Sequence, residues 1–201
     1  MKTVGIIGGL GPETTSEFYL DIVFSCYKKT KEARPGIIIS SVPLPYKIEE
    51  DLIMENKGSE RYLPFLIQEA KRLEKAGADF LVMPCNSLHV FIEDIRKAVK
   101  IPVLSIVEET VAFLKKSKIK KVGIIATSTS IKRRLYTEIL EKEEIKLVVP
   151  DDFEQAKMGK MVKNIVLNRH ANKEREEIIK IINNFEKKGV KNVILADSVS
   201  E

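Results

Sequence analysis

The sequence predicts an α/β protein made of two similar halves, each a doubly wound parallel sheet, and two observations predict it. First, apolar runs of strand length recur at 2–8, 36–42, 78–84, 101–106, 120–126, 145–149 and 191–196, with helix-period segments between most of them. Near-continuous apolar runs, rather than strict alternation, mark strands buried on both faces, as in parallel sheets. Second, part of the chain occurs twice. Residues 73–85 align without a gap on 185–197, so that Gly77 meets Gly189 and Cys85 meets Asp197, and Val4-Gly5-Ile6-Ile7 is echoed by Val122-Gly123-Ile124-Ile125. Such self-similarity indicates duplicated units, and the expected domains are 1–106 and 107–201.

In the first half, the opening strand runs into Gly8-Gly9-Leu10-Gly11-Pro12 ahead of a helix. Gly9 and Gly11 allow backbone amides to approach an anion, or simply allow a tight turn. A dinucleotide site is a poor reading, because the next strand ends in Ser40-Ser41 where an acid should hold a ribose. After that strand, residues 43–57, with their prolines and charges, are either a lid or an ordinary surface loop. The next helix carries Leu63, Leu66, Ile67, Ala70 and Leu73 at three- and four-residue steps and stops at Gly77, a left-handed cap. The third strand delivers Met83-Pro84-Cys85-Asn86-Ser87-Leu88-His89.

The second half repeats the plan. Its first strand ends in Ala126-Thr127-Ser128-Thr129-Ser130, a row of hydroxyls of which part must be N-capping, with Lys132, Arg133 and Arg134 close behind. A helix with Ile178, Ile179, Ile182 and Phe185 stops at Gly189, and the last strand runs to Asp197. The chain ends at Glu201, where a doubly wound fold would normally add a helix; the expectation is a natural abbreviation or an absent tail.

Composition narrows the function classes. The chain is 44% hydrophobic and 31% charged, with a net charge of +5 from interspersed Lys and Arg. Aromatic residues make up 6%, without Trp, and form no basic stacking surface, which argues against nucleic acid. No run is long enough to span a membrane and no leader pattern precedes the first strand, so the expected location is cytoplasmic. The Lys, Glu and Ile weighting resembles hyperthermophile proteins. Cys26 and Cys85 form no metal-spacing pair; Cys26, between apolar neighbours on a helix, reads as packing.

The candidate chemistry lies at strand ends, where α/β folds gather ligands. Cys85 is either core packing or a thiol activated by a helix N-terminus, with Asn86 and Ser87 as carboxylate-binding donors. His89 reads as a supporting hydrogen-bonding residue, and a zinc site is not expected. Two ionisable groups, Cys85 and Asp197, facing one cleft from opposite sides would suit moving a proton across a carbon centre.

Together these motifs resemble the aspartate/glutamate racemase family over nearly the whole chain, from Val4 to Pro12, through Met83 to His89 and Val122 to Thr127, to Gly189 through Asp197. The resemblance implies two pseudo-symmetric domains, two cysteines flanking the substrate α-carbon, no pyridoxal phosphate or metal, and a homodimer. It implies that Cys85 is the first of those cysteines, that Asn86 and Ser87 are the substrate-binding pair, and that Thr127 and Ser130 are hydroxyl ligands. Lys47 falls where aspartate racemases carry an Arg that grips the side-chain carboxylate. The second cysteine is replaced in Ala196-Asp197-Ser198, leaving Asp197 as the opposite acid/base and Ser198 as a candidate ligand. The expected activity is isomerisation of aspartate, glutamate or a related small amino or dicarboxylic acid. A one-thiol decarboxylase or isomerase and a non-catalytic carboxylate binder are the alternatives.

Overall fold

The computed structural model describes residues 2–29, 31, 33–55, 58–158 and 172–196. The chain divides into two compact units, Met1–Ile106 and Val107–Glu201. In the first, strands β1 (Thr3–Gly8), β2 (Gly36–Ser41) and β3 (Phe80–Val82) form a parallel sheet in the order β2-β1-β3. Helices α1 (Pro12–Lys29), α2 (Tyr46–Glu55), α3 (Leu63–Lys75) and α4 (Ile92–Ala98) fill the crossovers. The core gathers Ile7, Tyr62, Leu66, Leu73, Leu81 and Ile95, among others.

Helix α3 turns Leu66, Ala70 and Leu73 inward, whereas Leu63 and Ile67 stay half-buried. Glu69 shares the inward face and is fully buried; Ser40 Oγ donates to its carboxylate, and Arg72 pairs with the same oxygen at 3.0 Å. A buried carboxylate is tolerated only when so compensated.

Two expectations are corrected. The run 101–106 is not a strand: it makes one bridge, Leu81 to Val103, with Leu81 N donating to Pro102 O and Leu104 N to Leu81 O. Pro102 has no N–H to extend the ladder, and helix α5 (Ile106–Lys116) begins directly afterwards. Residues 43–57 are not a loop, because α2 occupies most of them. Ile48 and Leu52, four apart, pack against the core, and Lys47 pairs with Asp51 at the same spacing.

The second unit has strands β4 (Lys121–Ile125), β5 (Lys146–Val148) and β6 (Val193–Leu195), parallel and ordered β5-β4-β6. Its helices are the rest of α5, α6 (Ser128–Lys132), α7 (Thr137–Lys142), the helical stretch 152–158 and α8 (Asn172–Lys187). Asp151 and Glu154 form a reciprocal capping box at 2.9 and 2.8 Å, and Asn184 donates to Glu154 at 2.8 Å, which ties stretch 152–158 to α8. One cluster of its core gathers Ile125, Met158, Ile181, Phe185 and Val190, and Val107, Val111, Leu114, Val122, Ile124 and Leu140 are buried as well.

Candidate active site

In each sheet the chain leaves the central strand toward one edge and returns on the other side. The carboxyl ends of β1 and β3, and of β4 and β6, therefore flank a topological switch point, where such sheets bind ligands. In the first unit that position collects the loops carrying Gly9, Gly11, Cys85, Asn86 and Ser87.

The glycine loop is held by one hydroxyl. Thr15 Oγ1 accepts from Gly9 N at 3.0 Å and donates to Gly11 O at 3.0 Å. Gly9 and Gly11 have φ of +77° and +106°, and a Cβ on Gly9 would meet Ser41 Oγ and Val42 N. Glycine is required at Gly9 both for the backbone angle and for the approach of β2. Because the Gly9 amide already donates to Thr15, the loop acts first as a built turn.

Cys85 is half-buried, is not in a disulfide and packs against the apolar core. Its amide closes a tight turn onto Met83 O at 2.8 Å. The chain then enters a 3-10 turn, Ser87–Phe91, with Asn86 as a cap residue whose side chain makes no capping bond. The helix terminus expected to activate the thiol is therefore a single short turn, because α4 starts only at Ile92.

His89 is 2% exposed and fixes the Cys85 backbone. Its Nε2 accepts from Ile106 N at 3.1 Å, so the neutral ring carries its proton on Nδ1, which donates to Cys85 O at 2.7 Å. One tautomer thus ties the thiol-bearing turn to the first residue of α5.

Tyr62 is the residue that sequence reasoning misses. It lies 4% exposed in the cluster against which Cys85 packs. Burial pushes its hydroxyl pKa up, and the negative charges of Glu49 and Cys85 push it further, against the pull of Arg61. The phenol therefore remains a protonated donor in thiol surroundings. Glu49 is also raised, by burial and then by Glu13. No motif surrounds Tyr62; its one signal is an aromatic residue next to an apolar helix.

Lys47 stands on α2 with its side chain 75% exposed and its ammonium 2.7 Å from Asp51, which also receives Arg61 at 2.7 Å. Those hydrogen bonds, Lys47 first, hold the Asp51 carboxyl below its ordinary value.

In the second unit, Thr127 and Ser130 are brought together: Thr127 Oγ1 lies 3.0 Å from Ser130 Oγ and accepts from Ser130 N at 3.3 Å. The second bond is an N-cap on α6. Arg134 turns to Glu141, at 2.9 and 3.1 Å. Asp197 and Ser198 lie outside the described residues. Among the described residues no three His, Cys, Asp or Glu side chains cluster as metal ligands, and no helix is long and apolar enough to cross a membrane.

The sequence and the fold both match known proteins. Residues 7–196 match the family described as Asp/Glu/Hydantoin racemase. The broad specificity amino-acid racemase RacX of Bacillus subtilis (strain 168) is 30% identical over 157 residues, 76% of this chain and 66% of that protein. The glutamate racemase of Aquifex aeolicus (strain VF5) is 28% identical over 57% of this chain and 44% of its own length. The chain thus spans two thirds or less of the length of these relatives. Among solved structures, an aspartate racemase homologue from Pyrococcus horikoshii OT3 superposes with a TM-score of 0.78 at 29% identity, over 98% of this chain and 85% of that one. Picrophilus torridus aspartate racemase gives 0.78 at 26% identity, over 98% and 80%. With its parallel sheets, its strand-end thiol and a match covering most of its length, the chain belongs to the Asp/Glu/hydantoin racemase family.

Proposed function

We propose that this amino-acid racemase-like protein works by α-proton abstraction and redelivery without a cofactor, with Cys85 as the thiol acid/base. The observation that supports this most directly is the position of Cys85 at the β1–β3 switch point, its carbonyl fixed by His89 and its surroundings provided with a protonated phenol. A thiolate takes the α-proton and the planar carbanion is reprotonated on its other face. Efficient transfer needs an opposite acid of matched pKa. In the internal repeat Asp197 stands opposite Cys85, and it is assigned that role here; its carboxyl must be raised by burial or a like charge to serve. Asn86, Ser87 and the Gly9–Gly11 backbone are assigned to the substrate carboxylate, with Thr127, Ser130 and Ser198 as hydroxyl donors from the second unit and cytoplasmic amino acids as the substrate pool.

The first reading of the substrate is aspartate, glutamate or a related acid, with Lys47 on the side-chain carboxylate. A second reading, a broad or non-acidic range, is favoured by the engagement of Lys47 with Asp51 and by the likeness to a broad specificity enzyme. Proton NMR in deuterated water, with each enantiomer of acidic, neutral and basic amino acids, tests both. Loss of α-proton in the parent chain, abolished by Cys85→Ala with circular dichroism unchanged, is expected; retained exchange in the variant overturns the role of Cys85. Exchange confined to acids selects the first reading, and exchange of neutral amino acids the second. Exchange of one enantiomer without inversion indicates a one-thiol enzyme, and gain of inversion in Asp197→Cys would identify the missing face.

A further inference from the structure

Tyr62 carries a polar group that the fold leaves unmet. The side chain is 4% exposed and belongs to the core cluster onto which Leu10, Ile48, Leu52 and Cys85 pack. Among the described residues nothing donates to its hydroxyl or accepts from it, although a phenol buried this deeply ordinarily has a partner. The oxygen is not sealed in, and it stands within electrostatic reach of both Cys85 and Glu49. Glu49 lies three residues before Leu52 on α2, half-buried beside the inward face of that helix. It makes no hydrogen bond or ion pair among the described residues, and the charge that acts on it is another acid, Glu13, in the first turn of α1. The neighbouring cations do not compensate this pair of acids: Lys47 and Arg61 both turn to Asp51, each at 2.7 Å.

We infer that Tyr62 and Glu49 receive the far end of the substrate side chain and that this end is a cationic amine, so that the substrates are basic amino acids. The inference rests on the α-proton reading of Cys85 given above and narrows its substrate. The chemistry of the groups selects a hydrogen-bond donor. Glu49 and Glu13 offer only acceptor oxygens when ionised, and the phenol oxygen accepts while keeping its own proton. A side-chain carboxylate placed here would face like charge, whereas an ammonium or guanidinium would meet charge-assisted acceptors. Burial and then Glu13 push the Glu49 carboxyl upward, the direction of an acid that lacks a cation, and a bound ammonium would oppose that push. Placement agrees as well. Asn86, Ser87 and the glycine loop are assigned to the α-carboxylate, which leaves α2 and the 3-10 turn after it, Ser59–Tyr62, for the side chain.

Three probes test this: lysine, norleucine, which lacks only the amine, and glutamate. α-Proton exchange in deuterated water gives kcat/KM for each, and calorimetry on Cys85→Ala gives binding apart from chemistry. Lysine should exceed norleucine by roughly 10- to 100-fold in both measurements, with glutamate last. Glu49→Gln should remove most of that ratio, and Tyr62→Phe should lower it about two- to tenfold, with circular dichroism unchanged in both. Exchange that favours norleucine or glutamate overturns the inference and leaves the role of Cys85 standing. Lysine binding that depends on Glu49, with no exchange of any amino acid, supports the inference and sinks the α-proton reading instead. An equal loss for all three probes in Glu49→Gln would put Glu49 on the α-ammonium that they share, and overturns the assignment to the side chain. Neither binding nor exchange of any probe overturns it too.

Discussion

The two units are built to one plan down to individual contacts and differ where chemistry would be done. In both, a glycine in the central strand lies under the last turn of a helix: a Cβ on Gly5 would stand 3.3 Å from Leu73 Cβ, and one on Gly123 2.8 Å from the Phe185 ring. Leu73 and Phe185 are equivalent in the sequence repeat, as are Leu81 and Val193, which pair in register with Gly5 and Gly123. Both helices end in the same Schellman cap. Gly77 N donates to Glu74 O and Ala78 N to Leu73 O; Gly189 N donates to Glu186 O and Val190 N to Phe185 O. The loops diverge: glycines pinned by Thr15 after β1, hydroxyls capping a short helix after β4. A few packing positions hold the architecture, so strand-end residues are left open to chemical change, which is how a thiol and a carboxylate come to occupy equivalent places in the sequence.

The comparison breaks most visibly at the two helix residues. Phe185→Ala should cost about 3–5 kcal/mol and Leu73→Ala about 2–4, as measured by denaturant unfolding. The phenylalanine is the larger side chain and its ring supplies the three atoms nearest a Cβ on Gly123, whereas Leu81, Ala78 and Leu73 share that place at Gly5. Equal losses would mean that the units do not differ in how they depend on this contact.

The next effect belongs to the first unit alone. His89→Ala leaves Cys85 O without its donor and Ile106 N without its acceptor, and should cost about 2–4 kcal/mol. His89 acts as a positioning residue, so α-proton exchange should fall through kcat more than KM even where the variant is fully folded, with partial rescue by His89→Gln. An unchanged kcat would reduce His89 to a structural role.

Smaller again are the glycine substitutions. Gly5→Ala meets Leu81 Cδ2 at 2.6 Å and the backbone-fixed Ala78 Cβ at 2.9 Å, whereas the three atoms nearest a Cβ on Gly123 all belong to the Phe185 ring, at 2.8 to 3.2 Å. The expected costs are about 2–3 and about 1–2 kcal/mol. At the caps, Gly77→Ala and Gly189→Ala meet little, with φ of +93° and +72°, and should each cost about 1–2 kcal/mol for the left-handed backbone. Thermal melts compare each pair, and a cap pair differing as widely as the strand pair would refute the assignment of cost to backbone angle.

Much of this frame is legible in the sequence because it rests on local rules. Apolar runs mark the strands of both sheets, the in-register repeat marks the equivalence of Gly5 and Gly123, and helix-terminating glycines mark both caps. The missed features depend on partners distant in sequence. Residues 101–106 are apolar enough for a strand, but Pro102 and the start of α5 leave room for one bridge. Residues 43–57 hide α2 behind Pro43 and Pro45, although Ile48 and Leu52 carry its period. At the site, the Cys85 motif is plain, while the service of His89 to both Cys85 and Ile106, the nearness of Tyr62, and the capture of Lys47 by Asp51 emerge only when separate elements meet.

The smallest predicted effect opposes the two units in sign. In the second, Glu177 accepts from Lys157 and Lys180, both at 2.6 Å, and these bonds lower its pKa to about 2 from an ordinary 4.5. A carboxyl depressed on folding contributes stability that is fully present above its unfolded value and is lost as pH falls from about 4.5 toward 2. In the first, Glu49 is raised, by burial and then by Glu13, so the folded state holds its proton longer than the unfolded chain does. Its contribution is present below 4.5 and is lost as pH climbs through the window above that value. Carboxyl NMR titration should give midpoints on opposite sides of 4.5. Glu177→Gln should flatten the acid limb of unfolding, and Glu49→Gln should remove a small loss at higher pH. If both midpoints fall on the same side, the local charge environments of the units are alike, and their difference lies in the strand-end loops alone.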